Sequence, residues 1–255
     1  TPCGTLFPYT TLFRSLLGAE AGDFVLVSCG VYRERNLRVP SGVTLWSATL
    51  QPDCVVIDAQ GRGRVFIFED CDSTTAVVGF TLRGGRTAHD GGLVVARDAA
   101  VRLSRCRFDG GEAQRGGAFA CRGERSPRLE ECVFTGNAAR TLGRAVLSRS
   151  TAPGRTIGCR FSGNMAIGGG ALAVGAGTDL RLERTRLVDN EAGNVGYVSQ
   201  SGGHANMFTI MGTSRGLAFN KVLSVGNQAD IAHQDVIAYF GKDPEIEIIT
   251  AYIED

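Results

Sequence analysis

The hydrophobic and polar positions of this chain repeat with a period of about 26 residues. One short block begins at residues 54, 80, 106, 132, 159 and 185, so each step is 26 or 27 residues long. Within the copy CVFTGN (132–137), Cys132 and Phe134 share one face, as in a strand, and no copy has the three- and four-residue spacing of an amphipathic helix. A period held over this many copies predicts a solenoid built from strands.

Two further strand-like blocks recur with the same period. The second block reads GGLVVA, GGAFAC, GRAVLS and GGALAV, and the third reads VRLSR, PRLEE and LRLER. Three short strands in each turn predict a right-handed parallel β-helix of about 26 residues per coil, in which each strand pairs with its counterpart about 4.8 Å along the axis. The first block ends in Gly-Asn, Gly-Gly or Asp-Asn, which tolerate the left-handed backbone of a sharp corner.

This register predicts columns of equivalent side chains along the axis. The interior column contains Phe108, Phe134, Phe161 and Leu187, continued by Leu82 and Val56. A ladder at one corner contains Asn137, Asn164 and Asn190.

A third column contains Cys106, Cys132 and Cys159. In-register neighbours lie about 4.8 Å apart, which is wider than the Cβ separation of about 3.8 Å that a disulfide prefers. No pair of Cys or His residues has the spacing typical of a zinc site. We interpret these cysteines as small buried fillers, with a disulfide or a metal as the alternative, and we predict no metal site.

The FxGN and GGA elements resemble the parallel β-helix repeats of secreted and surface proteins, including the polymorphic outer-membrane-protein type. GDFVLVSCGVYRE (22–34) and SGVTLWS (41–47) resemble the first coil of pectate-lyase-like β-helices. The resemblance covers residues 16–194 and implies an extracellular or cell-surface location. The same scaffold carries lyases, hydrolases, adhesins and inert spacers, so the resemblance does not select one activity.

The distribution of charged residues suggests one candidate ligand. The chain has 43% hydrophobic residues, a net charge of +1 and no apolar run of membrane-spanning length, which indicates a soluble globular protein with no nucleic-acid partner and no transmembrane segment. Arginines cluster around the third block, at positions 102, 105, 107, 128, 160, 181, 184 and 186. They would either bind an acidic polysaccharide or another cell-surface ligand, or form a solvated face paired with neighbouring glutamates.

A polysaccharide-active enzyme is the alternative function. A β-helix lyase would need acidic calcium ligands beside a basic residue. The available carboxylates are Asp58, Asp70, Asp72, Asp90 and Asp98, which fall on different coils without a recognisable pattern. His89, beside Asp90, is expected in a corner loop. We therefore predict a non-catalytic β-helix with an adhesive, carbohydrate-binding or structural role.

The first residues follow a different pattern. TLFPYTTLFRS (5–15) resembles a frame translation of a common sequencing adapter. We therefore interpret residues 1–15 as an unstructured artefact that has replaced any signal peptide. Residues 16–21 are expected to be the remnant of a helix that caps the first coil.

From Val195 the repeat stops and an α/β pattern begins. The predicted order is a strand at 195–200, an SGG loop, a helix at 204–215, a strand at 219–227, a helix from Asp230 to about Phe240, and a strand at 246–254. Composition changes at the same point, because residues 1–194 contain 24 Arg and no Lys, whereas residues 195–255 contain one Arg and two Lys. This shift indicates two origins.

Four segments of this region resemble the flavodoxin-like domain of NDP-forming acyl-CoA ligases of the succinyl-CoA ligase α type. They are SQSGG (199–203), RGLAFNKVLSVGNQAD (215–230), DPE (243–245) and YIE (252–254). The resemblance implies that Ser199, Ser201, Gly202 and Gly203 bind the phosphate of a phosphohistidine and that Glu254 contacts this histidine. His204 is either a first-turn surface histidine or a substitute nucleophile.

The intact family uses ATP or ADP and CoA, works in the cytoplasm and needs an ATP-grasp partner. The family's histidine loop would follow Glu254, and its CoA domain would precede Val195. We therefore expect residues 195–255 to be an inactive, truncated fragment that uses no cofactor, joined to the β-helix in a chimeric reading frame.

Overall fold

The computed structural model describes residues 12–142, 145–168, 171–174, 180–188, 190, 195–215, 217, 219–225 and 232–253. The chain forms a parallel β-solenoid of about seven turns, followed by a flavodoxin-like α/β region. The predicted parallel β-helix of 26-residue coils is confirmed. Within the described ranges, no helix is both long and apolar enough to cross a membrane.

Three long parallel sheets run along the solenoid. Sheet 1 contains β1 (Phe24–Val27), β4 (Thr44–Ser47), β7 (Ala76–Val78), β10 (Arg102–Ser104), β14 (Arg128–Glu130), β18 (Gly154–Ile157) and β22 (Leu180–Glu183). Sheet 2 contains β2 (Gly30–Tyr32), β5 (Val55–Asp58), β8 (Phe80–Arg83), β11 (Arg107–Asp109), β15 (Val133–Thr135), β19 (Arg160–Ser162) and β23 (Arg186–Val188). Sheet 3 contains β3 (Leu37–Arg38), β6 (Phe66–Glu69), β9 (Val94–Arg97), β13 (Phe119–Gly123), β17 (Val146–Ser150) and β21 (Leu172–Val174).

A fourth, shorter sheet was not predicted. It contains β12 (Glu112–Arg115), β16 (Ala138–Leu142) and β20 (Met165–Gly168), which lie between sheets 2 and 3 along the chain. Its register shifts between Ala113 and Arg115 and again after Ala139. This irregular pairing explains why the segment carries no clear alternation in the sequence.

The interior column follows the predicted register through Leu82, Phe108, Phe134 and Phe161. The three phenylalanine rings are fully buried and stack almost parallel, with centroids 4.4 and 4.5 Å apart. The prediction of Val56 was wrong, because Leu82 pairs with Ile57 and the step between these coils is 25 residues. Leu187 pairs with Phe161 but is 52% exposed, because it lies in the last strand of sheet 2.

Helix α1 (Leu12–Leu17) lies at the start of the described chain. Leu16 is buried and belongs to the core of the solenoid. The helix was expected at 16–21 and instead begins inside the segment 1–15 that was interpreted as unstructured. Residues 1–11 of that segment lie outside the described residues.

The cysteines follow two patterns. Cys29 and Cys54 form a disulfide across neighbouring coils, with Cα atoms 4.6 Å apart. This disulfide was not predicted, and each of its cysteines immediately precedes a strand of sheet 2. The other cysteines of the described chain are free and buried: Cys71, Cys106, Cys121, Cys132 and Cys159. Burial raises the pKa of the Cys71 thiol to about 11, so this group stays protonated at neutral pH.

The C-terminal region is a three-stranded parallel sheet with two helices. Its elements are β24 (Val195–Ser199), α2 (Gly202–Ser214), β25 (Phe219–Ser224), α3 (His233–Phe240) and β26 (Ile248–Tyr252). Strand β24 is fully buried and lies between β25 and β26. Two apolar clusters hold the helices, one around Tyr197 and Phe219 and the other around Val236 and Phe240.

Both helices begin at positions that differ from the prediction. Helix α2 starts at Gly202, before the predicted residue 204, because the Ser201 hydroxyl accepts a hydrogen bond from the His204 amide at 3.3 Å and so caps the first turn. Helix α3 starts at His233, where the Asp235 carboxylate accepts a hydrogen bond from the Ala232 amide at 3.1 Å. Asp230, the predicted cap, lies outside the described residues.

Candidate functional site

The predicted phosphate loop connects β24 to α2. The Ser199 hydroxyl donates a hydrogen bond to the Ser201 carbonyl at 2.8 Å and accepts one from the Ser201 amide at 3.2 Å. The Ser199 carbonyl accepts a hydrogen bond from the Val225 amide at 2.9 Å, which fixes the loop to β25. The structure therefore brings Ser199, Ser201, Gly202 and Gly203 together at a helix N-terminus, where backbone amides favour an anion.

The two glycines of the loop are not needed to avoid a steric clash with neighbouring atoms. A Cβ atom added at Gly202 would lie 3.7 Å from the Ser224 hydroxyl, and one added at Gly203 would lie 4.0 Å from the Ser201 hydroxyl. Both are ordinary contacts, and both glycines are exposed. Their small size leaves the amides of the first helical turn open to a ligand.

His204 is held by packing on the inner side of this turn. Its Nδ1 lies 2.9 Å from the Tyr197 hydroxyl, and its ring stacks on Tyr252 with centroids 3.8 Å apart. The expected first-turn surface histidine is therefore a partly buried residue that joins α2 to β24 and β26. Glu254, predicted to contact the phosphohistidine, lies outside the described residues.

The DPE segment has a structural role. The Asp243 carboxylate accepts a hydrogen bond from the Glu245 amide at 3.0 Å and forms an ion pair with Lys221 on β25. This lysine lowers the pKa of the Asp243 carboxyl. Two of the matched segments thus meet to connect the α3–β26 loop to the sheet.

The carboxylates considered for a lyase do not converge. Asp58 pairs with Arg83 at 3.0 Å, Asp90 pairs with Arg115 at 2.7 Å, and the Asp98 carboxylate accepts a hydrogen bond from the Glu124 amide at 2.7 Å. Asp72 accepts hydrogen bonds from the amide and hydroxyl of Thr74, which lower its pKa, and the Asp70 carbonyl accepts one from Arg125 at 3.3 Å. Across the described ranges, no group of three His, Cys, Asp or Glu residues could hold a metal ion.

The asparagine ladder provides hydrogen-bond partners for buried backbone groups at one corner of the solenoid. Asn137 Nδ2 donates to the Phe108 carbonyl at 3.0 Å and to Asn164 Oδ1 at 2.9 Å, while Asn137 Oδ1 accepts from the Gly111 amide at 2.8 Å. Asn164 repeats the pattern with the Phe134 carbonyl at 3.1 Å and Asn190 Oδ1 at 2.7 Å. Asn137 and Asn164 are fully buried, so the ladder serves the fold rather than a ligand.

Four arginines form an exposed column on sheet 1. They pair in register on successive strands and are Arg102, Arg128, Arg155 and Arg181. Arg128 also forms an ion pair with Glu130 on its own strand. Three residues of the column, together with Ser73 and Thr74, line a shallow cavity of about 410 Å³. Arg155 was missed in the sequence because its strand, GRTI, lacks the repeated arginine-leucine pair.

The other predicted arginines lie outside this column. Arg105 pairs with Glu131 at 2.9 Å, and Arg107 pairs with Asp53 at 3.1 Å. Arg160 and Arg186 are neighbours on sheet 2, and Arg184 is an exposed corner residue. A separate group of arginines, not predicted from the sequence, lines a larger cavity of about 510 Å³ beside sheet 3.

Comparison with known proteins identifies the C-terminal region. Residues 192–255 match the family model described as "Succinyl-CoA ligase like flavodoxin domain". The chain is 39% identical over 62 residues to an ADP-forming acetate–CoA ligase of Methanocaldococcus jannaschii, a match that covers 24% of this chain and 9% of that protein. It is 32% identical over 77 residues to the α subunit of an ADP-forming acetate–CoA ligase II of Pyrococcus furiosus, and this match covers 30% of this chain and 17% of that subunit.

A third relative is an ADP-forming acetate–CoA ligase I of Archaeoglobus fulgidus, 33% identical over 78 residues, covering 30% of this chain and 11% of that protein. The chain therefore spans less than a fifth of the length of these curated relatives. No solved structure matches the chain. Residues 192–255 thus form an acyl-CoA ligase-like flavodoxin region, and it follows a β-solenoid.

Proposed function

We propose that the β-helix is a non-catalytic domain of a secreted or cell-surface protein and that it binds acidic carbohydrate. The arginine column on sheet 1 is the observation that carries this proposal. Its members are spaced by one strand, about 4.8 Å, so the face presents a regular row of positive charge. A linear polymer with regularly spaced anionic groups complements such a row.

The separated carboxylates support binding without cleavage. Glycosidic cleavage needs two carboxyl groups facing one bond, and a lyase of this fold needs clustered acidic ligands. In the described chain, the carboxylates of Asp58, Asp72, Asp90 and Asp98 are engaged in separate hydrogen bonds and ion pairs. The enzyme hypothesis has no comparable observation in its favour.

A binding assay tests this function with matched variants. The full chain should bind an immobilised sulfated or uronate polysaccharide, but not neutral dextran, and should release no new reducing ends or unsaturated products. The double substitution Arg102→Gln and Arg155→Gln should weaken binding about tenfold, because it removes two of the four charges of the column. The assay uses 50 mM NaCl, since interactions between surface charges are screened at higher salt. The control, Arg33→Gln with Arg62→Gln, removes the same charge at exposed positions outside the column. Equal weakening by both variants, or cleavage of any polymer, would contradict the proposal.

We also propose that the ligase-like region is inactive in this polypeptide, uses no cofactor and was joined to the β-helix in a chimeric reading frame. The support is the change from arginine to lysine usage at residue 195, which coincides with the change from the β-solenoid to the ligase-like region. Nucleotide reads that span codons 185–200 at even depth would contradict the chimera.

A further inference from the structure

A strongly basic cavity lies beside sheet 3 and takes no part in the function proposed above. It has a volume of about 510 Å³, within the range of small-ligand sites. Strands β9, β13 and β17 form one side, and the corner at 88–90 with β12 forms the other. The strands present the same pair of side chains in register: Val95 with Arg97, Ala120 with Arg122, and Leu147 with Arg149.

Positive charge in this cavity exceeds what its carboxylates neutralise. Five arginines line it: Arg64, Arg97, Arg115, Arg122 and Arg149. Asp90 is held by Arg115 through two hydrogen bonds, at 2.7 and 3.0 Å, and Glu69, just outside the lining, pairs with Arg97. Glu69 also pairs with Arg38, so six guanidinium groups stand against these two carboxylates and the net charge is +4. Among the described residues, neither Arg122 nor Arg149 has a carboxylate partner.

Two features show that the positive charges of this cavity are incompletely compensated by the described residues. The Nε atom of Arg97 is buried and has no hydrogen-bond partner among the described residues, which is costly for a charged donor. Arg64 donates two hydrogen bonds to the Asp90 carbonyl, at 3.1 and 2.7 Å, and so is fixed close to Arg97. Burial, followed by the charge of Arg97, lowers the pKa of Arg64, while Asp90 opposes this shift.

We propose that this cavity binds a compact anion with two or more phosphate groups, held between Arg97, Arg122 and the arginines of the facing wall. The neighbouring strands that carry Arg97, Arg122 and Arg149 lie about 4.8 Å apart. The terminal oxygens of a phosphate point in several directions, so one group accepts hydrogen bonds from two strands and from the wall together. A planar carboxylate presents two coplanar oxygens and pairs with a single fork. Two linked phosphates also match the net charge of the cavity.

Isothermal titration of the full chain with tripolyphosphate tests this site. Pyrophosphate, orthophosphate, sulfate and citrate form the comparison series. We expect one tripolyphosphate per chain, bound at least about tenfold more tightly than orthophosphate, sulfate or citrate, because several guanidinium groups act on one ligand. The double substitution Arg97→Gln and Arg122→Gln should weaken binding at least about tenfold. Arg102→Gln with Arg155→Gln, on sheet 1, should leave it unchanged.

Thermal unfolding without ligand verifies that each variant folds. Both double variants should unfold within about 3 °C of the parent chain, because the substituted arginines other than Arg97 are exposed. Arg97→Gln removes an ion pair with Glu69 together with a buried, unpaired Nε–H group, and these two losses oppose each other. Arg122→Gln alone supplies the measurement if the double variant is unstable, since Arg122 is exposed and has no carboxylate partner in the described chain. Absence of binding, equal loss in the sheet 1 variant, or citrate binding as tight as tripolyphosphate would overturn the proposal. These outcomes are independent of polysaccharide binding by the sheet 1 column.

Discussion

At the corners of the solenoid, single residues are selected by their backbone angles. Gly110, Gly136 and Gly163 follow successive strands of sheet 2 with φ values of 62°, 62° and 60°. A Cβ atom added at Gly110 or Gly163 would have no neighbour within 4 Å. Glycine is therefore needed at these corners because it adopts the left-handed backbone conformation easily. A larger side chain would have enough space there.

Gly163→Ala measures this backbone requirement in isolation. We expect the substitution to lower the free energy of unfolding by about 1–2 kcal/mol, the cost of a left-handed L-residue. Gly18→Ala is the control, because Gly18 also has an open surrounding but no positive φ. The measurement is urea denaturation followed by circular dichroism. Equal stability of the two variants would contradict the account of these corners.

The sequence predicted the glycine corners but not their counterparts between sheets 1 and 2. Arg105, Glu131 and Arg184 adopt φ values of 52°, 51° and 49° there. Nothing about an arginine or a glutamate indicates this conformation by itself. The available signal was their alignment with Gly79 and Gly158, which occupy the same corner in other coils with φ values of 80° and 63°.

The solenoid strands have two to five residues each and depend on their neighbours in the adjacent coils. Such strands are too short to be stable alone, so stability comes from stacking each coil on the next. Phe108, Phe134 and Phe161 contribute most visibly, because their rings fill the interior and stack in register.

Phe134→Ala should lower the free energy of unfolding by about 3–5 kcal/mol, since it removes a fully buried aromatic ring between two others. Phe24→Ala is the matched control, because that ring is 43% exposed, and its loss should cost less than about 1 kcal/mol. Urea denaturation of both variants compares them directly. A Phe134→Ala variant as stable as the parent would disprove the proposed interior register.

At the level of elements, the period and alternation were sufficient to predict three of the four solenoid sheets. They were insufficient where one coil is shorter by a residue, which moved the interior position from Val56 to Ile57. They also missed the fourth sheet, where register shifts remove the alternation. The Cys29–Cys54 disulfide was missed because the equivalent corner cysteines of later coils, such as Cys106 and Cys132, are free, so position in the coil does not distinguish the bonded pair.

In the whole molecule, two regions of different chemistry share one chain. The solenoid exposes arginines on two sheets, and its basic cavity was invisible in the sequence because the lining residues come from separate coils. In the ligase-like region, β25 and β26 form the edges of a three-stranded sheet and expose Val222, Leu223, Ile248 and Ile249. Its resemblance to the ligase family was predicted correctly, because local segments such as SQSGG carry it.

We propose that this polypeptide combines a carbohydrate-binding β-solenoid with an inactive ligase-like region. Phosphoryl transfer depends on positioning and preorganised charge from several groups. The described chain supplies the Ser199–Gly203 loop and a histidine, His204, that is hydrogen-bonded to Tyr197 and stacked on Tyr252.

The most direct test is to incubate the purified chain with γ-labelled ATP, CoA and acetate or succinate, beside an intact ADP-forming acetate–CoA ligase as positive control. We predict no labelled protein and no acyl-CoA from this chain. An acid-labile phosphohistidine at His204, or turnover of either acid, would contradict the account.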